Sequence, residues 1–106
     1  MDSKNLTPIF FALLDSHGVP RPECEYKFLK DRRFRMDYAW IEDKVFLEVE
    51  GGVWVGGHTR PSVFVKNLEK YNLAAMNGWR LLRVEPKQLL TNATILMIKA
   101  ALQAGR

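Results

Sequence analysis

The chain has 106 residues, enough for one domain with one modest core. Its hydrophobic and charged fractions, 47% and 26%, are ordinary for a soluble globular protein, and the net charge of +4 hints at a polyanionic partner. A lone cysteine, Cys24, excludes an intrachain disulfide and suits a reducing compartment, and His17, Cys24 and His58 lack zinc-ligand spacing.

The opening Met1-Asp2-Ser3-Lys4-Asn5 has no signal-peptide character and no apolar run approaches a membrane span, so a cytoplasmic protein is expected. Leu6, Ile9, Phe10, Leu13 and Leu14 recur at helical spacing, with Thr7-Pro8 as the expected start and Gly18 and Pro20 as the stop. Cys24, Tyr26 and Phe28 alternate with Glu25 and Lys27 as a first strand. Glu25 is either a further acid for a site or an ordinary strand residue paired with a nearby base. Lys27, Lys30, Arg32, Arg33 and Arg35 then crowd around one acid, Asp31. Such a block holds phosphates beside an acidic site, or is a solvated edge that discourages strand pairing.

The centre of the chain reads as a hairpin. Phe34, Met36, Tyr38 and Trp40 alternate with polar or small residues, and Val45, Leu47 and Val49 alternate with Phe46, Glu48 and Glu50. A turn centred between Glu42 and Asp43, or a four-residue loop over Ile41 to Lys44, makes paired residue numbers sum to 85. Asp37 then faces Glu48, and Arg35 faces Glu50. A slip by one residue would send the acids to opposite faces. Facing carboxylates repel unless a cation lies between them, and a metal is the simplest remedy. The alternative is that the acids line the solvated face of a hairpin.

Gly51 to Pro61 holds four glycines in its first seven positions and reads as a loop that can approach a ligand closely. Within it Trp54 either wedges between bases or folds onto the core, and His58 and Arg60 either reach a phosphate or stay solvated. Ser62 is the expected N-cap of a helix whose apolar face is Phe64, Leu68, Tyr71 and Ala75, closed by Asn77-Gly78. Lys66 and Lys70 lie four apart on one side of it, with Glu69 beside them. Trp79 to Val84 is a short, mostly buried strand. Pro86 opens a last helix with Leu89, Ala93, Leu96 and Ala100 as its stripe. The order α-β-β-β-α-β-α implies an α/β fold, a mixed sheet flanked by helices, with the last strand parallel to one already in the sheet.

That order, with Asp37, ten residues, then Glu48-Val49-Glu50, resembles the restriction-endonuclease-like PD-(D/E)XK nuclease superfamily. Within it the chain is similar to the very short patch repair endonucleases and related small phage or bacterial nucleases. The resemblance rests on Phe46 to His58, on Lys70-Tyr71-Asn72 and on Gly78 to Val84, and it spans roughly residues 25 to 86. It implies metal-dependent hydrolysis of a DNA phosphodiester in a bacterial or phage-infected cytoplasm. Asp37, Glu48 and a backbone carbonyl near Val49 would hold Mg²⁺ or Mn²⁺, which hard oxygen ligands select. The superfamily usually has lysine at position 50. Here Glu50 would hold a second ion or orient water, and Lys70, or else Lys66, would stand in for the lysine. His58 matches an active-site histidine of the patch repair enzymes, but their zinc-binding cysteines have no counterpart. Lys27, Arg33, Arg35, Trp54 and Arg60 would contact DNA. A homodimer and a monomeric nickase both fit so small a domain. Two other readings stay open, a DNA-binding module that has lost catalysis and a subunit that needs a partner chain to cut.

Overall fold

The computed structural model describes residues 3–50 and 61–105, with side chains over 6–50 and 65–105. The glycine-rich segment 51–60, which carries Trp54, His58 and Arg60, lies outside the described residues, as does the Phe64 side chain. The elements are α1 (Ser3–Ser16), β1 (Glu23–Tyr26), β2 (Met36–Trp40), β3 (Val45–Val49), α2 (Pro61–Met76), β4 (Arg80–Val84), α3 (Pro86–Leu89) and α4 (Asn92–Ala104). They build a mixed four-stranded sheet in the order β1-β2-β3-β4. The first two pairings are antiparallel, and β4 joins β3 in parallel. This is the mixed sheet flanked by helices that the element order implies. No helix among the described residues is long and apolar enough to cross a membrane.

The central hairpin has the expected register, with Tyr38 opposite Leu47, Ala39 opposite Phe46 and Trp40 opposite Val45. Its loop is the four-residue one. The Lys44 amide donates to the Ile41 carbonyl at 3.2 Å, and Lys44 itself takes a positive φ of 54° to re-enter the ladder. Because side chains alternate across a strand, this register sends Tyr38, Trp40, Val45 and Leu47 to one face of the sheet and Asp37, Ala39, Phe46 and Glu48 to the other.

The first face packs on Phe10 and Leu14 of α1, on Leu89 of α3, and on Ile95, Ile98 and Leu102 of α4. The second packs on α2 through Ala74, with Trp79 closing the layer against Phe46 at a ring separation of 6.1 Å. Both α1 and α2 end in the same way. Gly18 (φ 68°) and Gly78 (φ 84°) turn the chain left-handed, and the next residue donates back into the last helical turn, Val19 to Leu14 at 2.9 Å and Trp79 to Ala74 at 3.0 Å. Each of these hydrogen bonds joins two residues of the same buried cluster. The turn therefore docks the helix on the sheet as well as ending it.

Several boundaries and faces differ from expectation. Helix α1 begins at Ser3, about a turn before Thr7-Pro8, and carries Pro8 inside it. Helix α2 begins at Pro61, so Ser62 is not its cap. The expected final helix is two helices. Thr91 caps α4 by accepting from the Thr94 amide, and this restarts the helical phase after Leu90. In consequence Leu96 is 56% exposed and Ile95, Ile98 and Leu102 are buried instead. On α2 the inward residues are Lys70 and Ala74, with Tyr71 partly buried, whereas Leu68 is 47% exposed and Ala75 is exposed too. A lysine occupies a position where an apolar stripe would be sought, and that hides the true face from a hydrophobicity pattern.

Candidate active site

The site lies on the α2 side of the sheet, where β2, β3 and β4 pass beneath the helix. Asp37 and Glu48 come together as the hairpin register requires, and each carboxylate is tied to the other strand's backbone. Glu48 Oε2 accepts from the Asp37 amide at 3.0 Å, and Asp37 Oδ2 accepts from the Val49 amide at 2.8 Å. The second oxygen of Asp37 has no hydrogen-bond donor among the described residues.

Glu48 is only 5% exposed and Lys70 9%, and the Lys70 ammonium donates to Glu48 Oε1. The docked C-terminus of α2 explains this reach. Ala74 is pinned to Trp79, and one turn earlier the same helical face carries Lys70 over β3. Burial pushes the Glu48 carboxyl up to about 7, the Lys70 charge opposes that, and the Asp37 charge adds to it. Glu48 therefore holds its proton to higher pH than an ordinary glutamate does.

Glu50 is used differently. Arg83 grips it with two hydrogen bonds of 2.7 Å, from Nε and Nη2, and the Tyr71 hydroxyl donates to it at 3.2 Å. The Arg83 guanidinium also lies 5.3 Å from the Tyr71 ring centroid. The hydrogen bond to Glu50 raises the Arg83 pKa. Burial pushes the Tyr71 phenol well above its ordinary value, and Glu48 and Glu50 act in the same direction, which keeps Tyr71 a proton-bearing donor.

The expected pairing of Arg35 with Glu50 does not form. The Glu50 amide bonds the Val84 carbonyl at 2.7 Å, so the chain leaving β3 follows β4 and not β2. Arg35 turns instead toward Glu25, at 3.7 Å. Glu25, whose φ is 49°, lies across the β1–β2 ladder from Asp37, yet it is exposed and pairs with this base, as its simpler reading expected.

The basic block and α2 enclose an open cleft of about 570 Å³. Arg33 and Arg35 line one wall and Lys66 and Lys70 the other, so Lys70 joins the cleft to Glu48. Lys27 is exposed and does not line it. Sequence reasoning missed Arg83 and Tyr71 as site residues. Strand β4, expected to be mostly buried, buries only Val84, with Arg80 and Arg83 exposed, so an arginine within it is the one signal that was present for Arg83, and nothing local marks Tyr71.

Among the described residues no three His, Cys, Asp or Glu side chains converge on one point. The donor set is therefore two carboxylates on adjoining strands, hard oxygen ligands of the number with which Mg²⁺ is commonly bound, water and substrate completing its shell. The Asp37 oxygen without a donor among the described residues and the buried Glu48 carboxyl, whose two oxygens accept from the Asp37 amide and the Lys70 ammonium, are the candidate ligands for such an ion. Glu50, neutralised by Arg83, does not extend the set. Compared with family models, with curated proteins and with solved structures, the chain finds no match in any of the three.

Proposed function

We propose that this chain is a divalent-metal-dependent DNA endonuclease of the PD-(D/E)XK kind, with Asp37 and Glu48 as the residues that hold Mg²⁺ or Mn²⁺. The observation that carries the reading is a buried glutamate placed beside an aspartate and contacted by a lysine from a neighbouring helix. A core does not require that constellation, and phosphodiester hydrolysis uses each part of it. The ion, when bound, supplies Lewis acidity at the phosphate and makes water easier to deprotonate.

The chain's own groups do the rest. The Val49 amide fixes the Asp37 carboxylate, and the Asp37 amide fixes that of Glu48, so both are held before substrate arrives. Lys70 takes the part of the signature lysine, a fixed positive charge where negative charge develops on the phosphate. It comes from α2 rather than from position 50. Arg83 and Tyr71 keep the third acid from repelling the DNA backbone. Arg33, Arg35 and Lys66 offer cations to flanking phosphates.

A second reading, a DNA-binding module without catalysis, is favoured by one observation, since the Lys70 ammonium already supplies Glu48 with a cation. Cleavage assays on linear, nicked, flapped, junction and single-stranded DNA with Mg²⁺, Mn²⁺ or EDTA separate the two. Metal-dependent cutting that is lost in Asp37→Asn while DNA binding persists is the expected result. Binding without cutting on every substrate, with or without metal, would select the module.

A further inference from the structure

The cleft beside the site has a composition that the placement of a metal does not require. Five of its lining residues are cations (Arg32, Arg33, Arg35, Lys66, Lys70) and two are acids (Asp31, Glu69). Arg32 engages Glu69. Arg33 and Lys66, on opposite walls, have no acidic partner among the described residues. Two cations that lack acidic partners among the described residues, one from the basic block and one from α2, attract a ligand that carries negative charge along the cleft.

The cleft also has an aromatic wall. Phe34 lines it, half-buried, with the Arg32 guanidinium 4.7 Å from its ring centroid. A planar ring and a planar guanidinium form the surface on which an unstacked base rests, and such stacking tolerates any base. A duplex cannot use it, because its bases are stacked inside and only phosphates and groove edges face outward. At about 570 Å³ the cleft is the size of a pocket for one or two nucleotides, not of a duplex surface.

We propose that this cleft binds an unpaired DNA strand, with phosphates on Arg33 and Lys66 and a base against Phe34, and feeds that strand toward Asp37 and Glu48 through Lys70. The substrate is then a duplex bearing a single-stranded segment, such as a flap or a gap. The purpose of the strand rests on the nuclease reading, but its binding does not.

The test is fluorescence anisotropy of a short labelled oligo(dT), an abasic oligonucleotide of equal length and a blunt duplex, all in EDTA. The strand is expected to bind at least about tenfold more tightly than the duplex, with a salt slope set by the phosphates contacted. The double substitution Arg33→Ala and Lys66→Ala should weaken oligo(dT) about tenfold and reduce that slope by about 1.4, or about 0.7 per phosphate. Phe34→Leu should weaken oligo(dT) about tenfold and leave the abasic strand unchanged. Circular dichroism confirms that each variant folds.

Equal affinity for strand and duplex, an unaltered double variant, or equal competition by inorganic polyphosphate would overturn the proposal. Strand binding by a protein that cuts nothing under Mg²⁺ keeps this inference and removes the nuclease reading. Cutting of blunt duplex at a rate the double variant leaves unchanged does the reverse.

Discussion

Replacing Lys70 with methionine removes one charge while keeping a chain of similar length. Glu48, 5% exposed, would then face Asp37 without its cation. Breaking a buried pair from one side costs about 3–5 kcal/mol when the remaining charge cannot escape. Glu48 can escape by taking up a proton, so the cost depends on pH. Its folded-state pKa is already raised, to about 7 against an ordinary 4.5. As pH rises from 4.5 toward 7 the unfolded chain therefore releases this proton first, and the carboxyl's contribution to stability declines. Without Lys70 the folded pKa rises further, and the decline continues to higher pH. At pH 5.5 Glu48 is mostly protonated with or without Lys70, so Lys70→Met should cost about 1 kcal/mol, as an ordinary lost hydrogen bond does. At pH 8 the cost should approach about 3 kcal/mol, a fall in Tm of about 12–20 °C for a domain of this size. Thermal unfolding followed by circular dichroism at the two pH values measures the difference, and Glu48→Gln added to Lys70→Met should recover most of the loss at pH 8. Equal destabilisation at both pH values, or no recovery in the double variant, would refute the reasoning.

If Glu48 holds the proposed ion, metal binding should carry the same signature, because a ligating carboxylate must be ionised. Mn²⁺ affinity is expected to rise about tenfold per pH unit below pH 7 and to level off above it, with close to one proton released per ion at pH 6, measurable by titration calorimetry in two buffers. Wild-type protein should bind one Mn²⁺, whereas Arg83→Ala frees Glu50 and should add a second, weaker equivalent in electron paramagnetic resonance titrations. Since Arg83 is largely exposed, that substitution should alter stability by less than about 1 kcal/mol. Gly78→Ala should cost about 1–2 kcal/mol through its φ of 84° alone, because the added methyl meets only the Lys44 side chain at ordinary contact distance. An unchanged Tm in Gly78→Ala would show that the turn is not what seats α2.

The amino-acid sequence alone determined the hairpin and its register. Alternation with a period of two and a loop of set length are local properties, and together they place Asp37 beside Glu48 without reference to any other element. The glycine stops at Gly18 and Gly78 were legible for the same reason, since a left-handed residue after a helix is a local requirement. Tertiary structure decided the rest of the site. The parallel entry of β4 brings Arg83 alongside β3, and so redirects Glu50 away from Arg35. The docking of α2 through Ala74 and Trp79 turns Lys70 inward, against the face that Leu68 and Ala75 advertise. In α4 the cap at Thr91 moved the phase of the buried stripe. In each case the deciding contact joins residues far apart in the chain or depends on where a helix starts, and a hydrophobic pattern of a few residues holds neither kind of information.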